Sequence, residues 1–356
     1  MNLFSKATTA ATAALLMYAP VAAQTFPQPP LPSTMSAEAR AILSAADAAA
    51  GAKAATATTL PPVSEMRALT DAQQRKLGAA QAARYGVKVT RTTWAGVPVL
   101  VFEPREIRAD RKRSLLINFH GGGFIVDAGS MTENVRLAAL SGTRIVSVLY
   151  RLAPEHPFPA AVDDGLAVYR HALTLHRPTD IAVYGTSAGA ILTAELLARL
   201  RKEGLPMPAA AGTFSLTADF TRAGDSEGYL PPLMGAGVNQ VLSAYAGDTK
   251  RSDPLMSPLF SNLRGLPPTL VLASTRDQLL SQSAIYHRAL LRAGVEADLI
   301  VYEGLPHAFW TGLDIPETTE AFAAMNAFLN RHLGRASNQQ VGSSQRRGRT
   351  RSAPAR

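Results

Sequence analysis

The spacing of apolar residues changes twice along this chain, and each change predicts a different kind of element. Residues 36–50 and 64–83 are rich in alanine, with apolar positions at helical spacing and a leading serine, Ser36 and Ser64, suited to an N-cap. They predict two helices ahead of the main fold. From Lys88 to Trp94 and from Val97 to Glu103 the period falls to two, and Ala95-Gly96 lies between, as in an antiparallel hairpin. Short apolar runs then appear at Leu115 to Phe119, Arg144 to Leu149, Ile181 to Tyr184, Ala210 to Ser215, Thr269 to Ala273 and Leu299 to Tyr302. Amphipathic stretches at 130–141, 159–175, 188–202, 281–293 and 317–332 separate or follow them. Apolar strands alternating with helices predict an α/β fold, a mostly parallel central sheet with helices on both faces. A long stretch, 220–265, breaks the alternation and reads as an irregular insertion, a candidate lid or substrate wall.

The two ends do not join this pattern. Lys6 is the only charge in the first 23 residues, an apolar run follows it, and Val21-Ala22-Ala23 precedes Gln24, as at a signal peptidase site. The run is shorter than the ~20 residues that span a bilayer. Residues 1–23 are therefore expected to be a cleaved export signal, with a periplasmic or extracellular destination and no stable membrane insertion. Phe26 to Pro32 is a stiff proline linker. Residues 335–356 hold six arginines, no acid and no apolar periodicity, and are expected to be a disordered basic tail.

Charge changes meaning once the ends are set apart. The whole chain carries +9, but residues 24–334 contain 29 basic and 27 acidic residues, a net of about +2. A nucleic-acid-binding role loses its support, because such domains concentrate basic residues on a folded face. The chain has no cysteine, which excludes thiol nucleophiles, disulfides, Cys-ligated zinc and iron–sulfur clusters. Serine, histidine and carboxylate chemistry remain.

Gly185-Thr186-Ser187-Ala188-Gly189 lies where a predicted strand turns into a predicted helix. In such an elbow the serine projects above the sheet, and the flanking glycines are needed where a Cβ would meet the neighbouring strand and helix. Ser187 is the expected nucleophile. His120-Gly121-Gly122-Gly123-Phe124 follows the strand Leu115 to Phe119 and lacks the spacing of a P-loop or a dinucleotide site. Its exposed N–H groups suit an oxyanion, so Gly122, Gly123 and Ala188 are the expected donors. His120 reads as structural. A serine hydroxyl needs a base and an orienting carboxylate. His307 follows the last predicted strand and Asp277 the one before it, so both can reach the carboxyl edge of the sheet. Asp219 also follows a strand but comes earlier in the chain than expected, and Asp248 and Asp253 lie in the 220–265 insertion. His171, His176, His287 and His332 fall on helices among charged neighbours and read as surface residues. Phe124, Phe220, Phe309 and Trp310 are candidates to line a substrate pocket.

With Tyr150 to Glu155 (Tyr-Arg-Leu-Ala-Pro-Glu) and Pro157 to Ala160 added to the two motifs, the chain resembles bacterial hormone-sensitive-lipase-type esterases of the α/β-hydrolase superfamily over residues 97–333. The resemblance implies an α/β-hydrolase fold for residues 87–334, with a helical cap from residues 24–86 and part of the 220–265 insertion. It also implies a Ser187, Asp277, His307 triad in that chain order. Arg151 and Glu155 are expected to form an ion pair beside the elbow, and Asp163 and Asp164 to open a helix. Two departures stand out: Thr186 occupies a position where many members have Asp, and Ala190 replaces a frequent glycine. The implied activity is carboxylic ester hydrolysis on short-to-medium acyl esters, with a small-molecule ester as partner and no metal or cofactor. A homodimer is compatible with the sequence, which does not set the oligomeric state. Lactone, steryl-acetate or amide hydrolysis uses the same triad, and a non-catalytic binder on the same fold, as in plant gibberellin receptors, is the rival of another class.

Overall fold

A computed structural model describes residues 30–53, 61–229 and 232–334. The expected export signal (1–23), most of the proline linker and the basic tail (335–356) lie outside the described residues. The elements below all belong to the unit that begins at Ser33.

Helices α1 (Ala37–Lys53) and α2 (Val63–Tyr85) come first. The Ser36 hydroxyl accepts the Ala39 N–H at 3.0 Å, so it caps α1 as its position predicts. Ser64 does not cap α2. That helix starts one residue earlier, behind Pro62, and takes Ser64 into its first turn.

Strands β1 (Lys88–Trp94), β2 (Val97–Glu103), β3 (Leu115–Phe119), β4 (Arg144–Val148), β5 (Ile181–Thr186), β6 (Ala210–Phe214), β7 (Thr269–Arg276) and β8 (Ala297–Pro306) form one sheet. Its order is β1-β2-β4-β3-β5-β6-β7-β8. The pairs β1/β2 and β2/β4 are antiparallel and all the others parallel. Every residue of β3, β5 and β6 is buried, which requires cover on both faces. The edge strand β1 is mostly exposed. Helices α3 (Thr132–Ser141), α4 (Ala160–Leu175), α5 (Ala188–Glu203), α7 (Leu280–Arg292) and α8 (Pro316–His332) supply that cover. Strands β7 and β8 run further towards the carboxyl edge than their apolar cores suggest, because Ser274 pairs with Tyr302 and, past an irregularity, Arg276 with Pro306. This extension delivers Asp277 and His307 side by side.

The 220–265 insertion is less irregular than its sequence implies. It contains a helix, α6 (Pro232–Ala246), whose Gly235 and Gly237 weaken its helical signature. Tyr245, fully buried, stacks on Phe124 with centroids 3.5 Å apart and donates its hydroxyl to Glu195 Oε2 at 2.6 Å. The insertion is thereby fastened to the glycine loop and to α5.

Candidate active site

At the end of β5 the backbone turns through Ser187 with φ 58° and ψ −121°, a conformation disfavoured for any residue with a Cβ. The surroundings hold it there. The Ser187 N–H bonds the Phe214 carbonyl at 2.8 Å, and the Ser187 carbonyl accepts from Ala190 and Ile191 as α5 begins. The two flanking glycines are required by space: a Cβ on Gly189 would lie 1.8 Å from the Phe119 carbonyl oxygen, and one on Gly185 would lie 2.3 Å from the Gly189 carbonyl. Strand, turn and helix touch backbone to backbone.

His307 leaves β8 beside this elbow. Its Nε2 is 2.9 Å from Ser187 Oγ and its Nδ1 is 2.8 Å from Asp277 Oδ1. A carboxylate only accepts, so Nδ1 carries the proton and Nε2 is left to accept the serine hydroxyl. Burial raises the Asp277 pKa, yet the His307 charge and hydrogen bond, with bonds from the Ser215 hydroxyl and the Leu279 N–H, outweigh it and hold the carboxyl below its ordinary value. Asp277 is 1% exposed and stays ionised at neutral pH, next to a ring it can orient. Ser215, which the sequence reading passed over, follows β6 directly with φ 58° and donates to Asp277 Oδ2. Its only signal was its place at the carboxyl edge, between the strands that carry the serine and the acid.

The glycine loop faces the elbow. Gly122 has φ 111°, and a Cβ there would come within 2.1 Å of the Val126 carbonyl, so the tight turn admits glycine alone. Among the described residues, no turn or loop hydrogen bond is donated by the N–H of Gly122, Gly123 or Ala188. Ala188 opens α5, where first-turn N–H groups have no intrahelical acceptor. These donors are available to a ligand oxygen. Val241 of α6 lies against Gly123, so the insertion borders the same loop. His120 is buried, stacks on Tyr150 at 4.2 Å, and its carbonyl accepts the Tyr150 hydroxyl at 2.7 Å. It braces the loop.

Other expectations are relocated. Arg151 does not pair with Glu155: its backbone N–H and Nε both donate to Asp164 of α4, at 2.8 and 3.0 Å. Glu155 instead takes Arg67 of α2 at 2.7 Å, and this bond holds its carboxyl at about 2. Arg67 also donates to the carbonyls of Ile125 and Ala153 at 2.8 Å, which ties α2 to the loops around the site. Asp219 is occupied by Thr221 and Arg222 within its own turn. His332 is 8% exposed against Phe328, not a surface residue. Phe124, Phe220 and Trp310 are all buried: Phe124 and Phe220 pack around Tyr245, while Trp310 donates its indole N–H to Thr186 Oγ1 at 3.1 Å. Thr186 in turn donates to Glu133 of α3 at 2.7 Å. Glu133 is 0% exposed, and burial, partly offset by the Thr186 bond, pushes its carboxyl up to about 7. Among the described residues no cluster of His, Asp and Glu could hold a metal ion, and no helix is long and apolar enough to cross a membrane.

Comparison with known proteins adds an independent line. A family profile described as alpha/beta hydrolase fold matches residues 116–311, the span from β3 past His307. An acetyl-hydrolase of Streptomyces hygroscopicus is 31% identical over 230 residues, covering 62% of this chain and 76% of that protein. The carboxylesterase NlhH of Mycobacterium tuberculosis is 31% identical over 258 residues, covering 67% and 79%. Among solved structures, esterase E25 superposes with a TM-score of 0.75 at 33% identity, covering 87% of this chain and 98% of that one. An esterase described as from the bacterial hormone-sensitive lipase family gives 0.67 at 30% identity, covering 78% and 94%.

Proposed function

The chain belongs to the α/β-hydrolase-fold family as a carboxylesterase of the bacterial hormone-sensitive-lipase type, and from that premise we propose that it cleaves short-to-medium acyl esters through an acyl-enzyme on Ser187. The observation that carries this reading is the unbroken line Ser187 Oγ, His307 Nε2, His307 Nδ1, Asp277 Oδ1, with both links under 3 Å. His307 takes the hydroxyl proton as Ser187 attacks the ester carbonyl, and Asp277 stabilises the imidazolium that forms. The oxygen that gains charge is received by the N–H groups of Gly122, Gly123 and Ala188, each such donor being worth ~10²–10³ in rate. His307 then protonates the leaving alcohol. Water, activated by the same nitrogen, attacks the acyl-enzyme and releases the acid. These groups complete the cycle by nucleophilic attack, proton transfer and charge stabilisation.

Hydrolysis of p-nitrophenyl acetate and butyrate is the direct test. Ser187→Ala should lower kcat by at least ~10⁴-fold and abolish covalent labelling by a fluorophosphonate. Full activity in that variant would remove Ser187 from the mechanism, and an unlabelled wild type would favour a non-catalytic binder. A series across acyl length, lactones and anilides separates esterase from lactonase and amidase. We also propose a periplasmic or extracellular site of action, which rests on the export signal expected from the sequence of residues 1–23, and amino-terminal sequencing of protein recovered from outside the cytoplasm tests it.

A further inference from the structure

Glu133 is expensive where it stands. It is fully buried on α3, and an apolar side chain at that position would avoid the cost of desolvating a carboxyl group. What it gains is one hydrogen-bonded chain of fixed direction. The indole N–H of Trp310 can only donate, so Thr186 Oγ1 accepts it at 3.1 Å. The single Thr186 hydroxyl proton is left to donate onward, and Glu133 Oε1 is its acceptor at 2.7 Å. Without that acceptor, the chain has no terminus.

The three residues belong to the three segments that must stand in register. Thr186 immediately precedes Ser187. Trp310 lies three residues past His307, in the 3-10 turn Phe309–Thr311. Glu133 opens α3 directly behind the glycine loop, its N–H bonded to the Gly129 carbonyl at 3.1 Å. None of the three touches Ser187 Oγ or the His307 ring by a hydrogen bond. We propose that Glu133 is a positioning residue, which through Thr186 and Trp310 fastens the nucleophile elbow and the histidine loop to the helix that follows the glycine loop. This rests on the Ser187 mechanism proposed above.

The required property is the acceptor at Oε1, not the charge, and the variants separate the two. In the full-length protein, Thr186→Val keeps the shape and removes the hydroxyl, Trp310→Phe removes the indole donor together with part of the buried ring, Glu133→Gln keeps an acceptor, and Glu133→Ala removes it. Activity is expressed per active site, counted by fluorophosphonate labelling carried to completion, so loss of folded protein does not enter. Thr186→Val and Glu133→Ala should lower kcat roughly 10- to 100-fold with KM changed less than about twofold, the signature of misplaced reacting groups rather than lost binding. Trp310→Phe should cost roughly 3- to 10-fold, and Glu133→Gln should stay within about threefold of wild type. If Glu133→Ala does not fold, Thr186→Val and Trp310→Phe decide the matter. Wild-type kcat per site in Thr186→Val overturns the assignment, as does Glu133→Gln falling as low as Glu133→Ala. Full activity in Ser187→Ala would overturn the mechanism itself, whereas an inactive Ser187→Ala beside an unimpaired Thr186→Val would overturn only the role of Glu133.

Discussion

The elbow around Ser187 and the helix α2 both support the glycine loop, but by different means. At the elbow the contacts are backbone against backbone: Gly185, Gly189 and the Phe119 carbonyl leave no room for a Cβ, and the Ser187 N–H is bonded across the sheet. Helix α2 packs closely at one point, Gly78 against Met131, and is otherwise held by the ends of long side chains. Arg67 reaches Ile125, Ala153 and Glu155, and Gln74 Oε1 accepts the N–H groups of Met131 and Thr132 at 3.2 and 3.3 Å. Backbone packing tolerates nothing, because no rotamer can relieve it. Side-chain bonds at a half-exposed border can be lost singly and replaced by water. Substitutions at the elbow should therefore act on folding, and those of Arg67 and Gln74 on affinity.

The largest effect should come from Gly189→Ala. A methyl group 1.8 Å from a carbonyl oxygen that the sheet holds in place must displace either β3 or α5, and overpacking of that severity costs upwards of ~3 kcal/mol. Soluble yield and thermal unfolding report it. A stable, active Gly189→Ala protein would show that the contact gives way more easily than backbone packing allows.

Glu133 lies between the two extremes, a side chain buried as deeply as the elbow. Unfolded, a glutamic acid ionises near pH ~4.3; folded, Glu133 keeps its proton up to about 7. The native state thus holds the extra proton between those values, so this contribution to stability is present below the lower one and is lost as pH rises to about 7. Glu133→Gln stays neutral and should lack the decline. Melting temperatures of both proteins from pH 4.5 to 8 should converge towards one end of the range and part at the other; parallel curves would contradict the assignment.

The same contrast explains what could be read from the sequence. Gly185, Ser187 and Gly189 announce themselves because their requirement is local: one turn, five consecutive residues. Asp277 and His307 were legible because each follows an apolar strand that ends at the same edge. The partners of Arg151 and Glu155 were not. Both residues sit within one short motif, yet Asp164 is offered by α4 and Arg67 by α2, and sequence adjacency says nothing about which way each side chain turns. Ser215 and Glu133 were missed for a related reason, since a lone serine or glutamate carries no pattern, and their roles come from what the fold brings beside them. Helix α6 was lost to its own glycines.

Ser215→Ala tests the elbow side with a smaller change. The Ser215 hydroxyl is one of the bonds that keep the Asp277 carboxyl low, so removing it should raise that pKa. The Asp277 carboxyl titration, followed by NMR, should then move to higher pH, and kcat should fall by about tenfold or less, since the His307 and Leu279 bonds remain. An unmoved carboxyl titration would mean that Ser215 contributes nothing to the ionised form.

The smallest effect belongs to α2. Arg67 and Glu155 are partly solvated, with side-chain exposures of 28% and 54%, and such pairs are worth about 1 kcal/mol at most. Arg67→Met keeps the apolar stem and removes the guanidinium, so global stability should fall by no more than that. The Ile125 and Ala153 carbonyls, however, lose a donor on the flank of the glycine loop, and that loop borders the space where substrate must sit. The change should appear as a rise in KM of about two- to fivefold with kcat nearly constant, opposite to the pattern expected for Thr186→Val. If Arg67→Met instead lowered kcat and left KM alone, α2 would share the task of aligning the reacting groups, and the division between a rigid elbow and an adaptable border would fail.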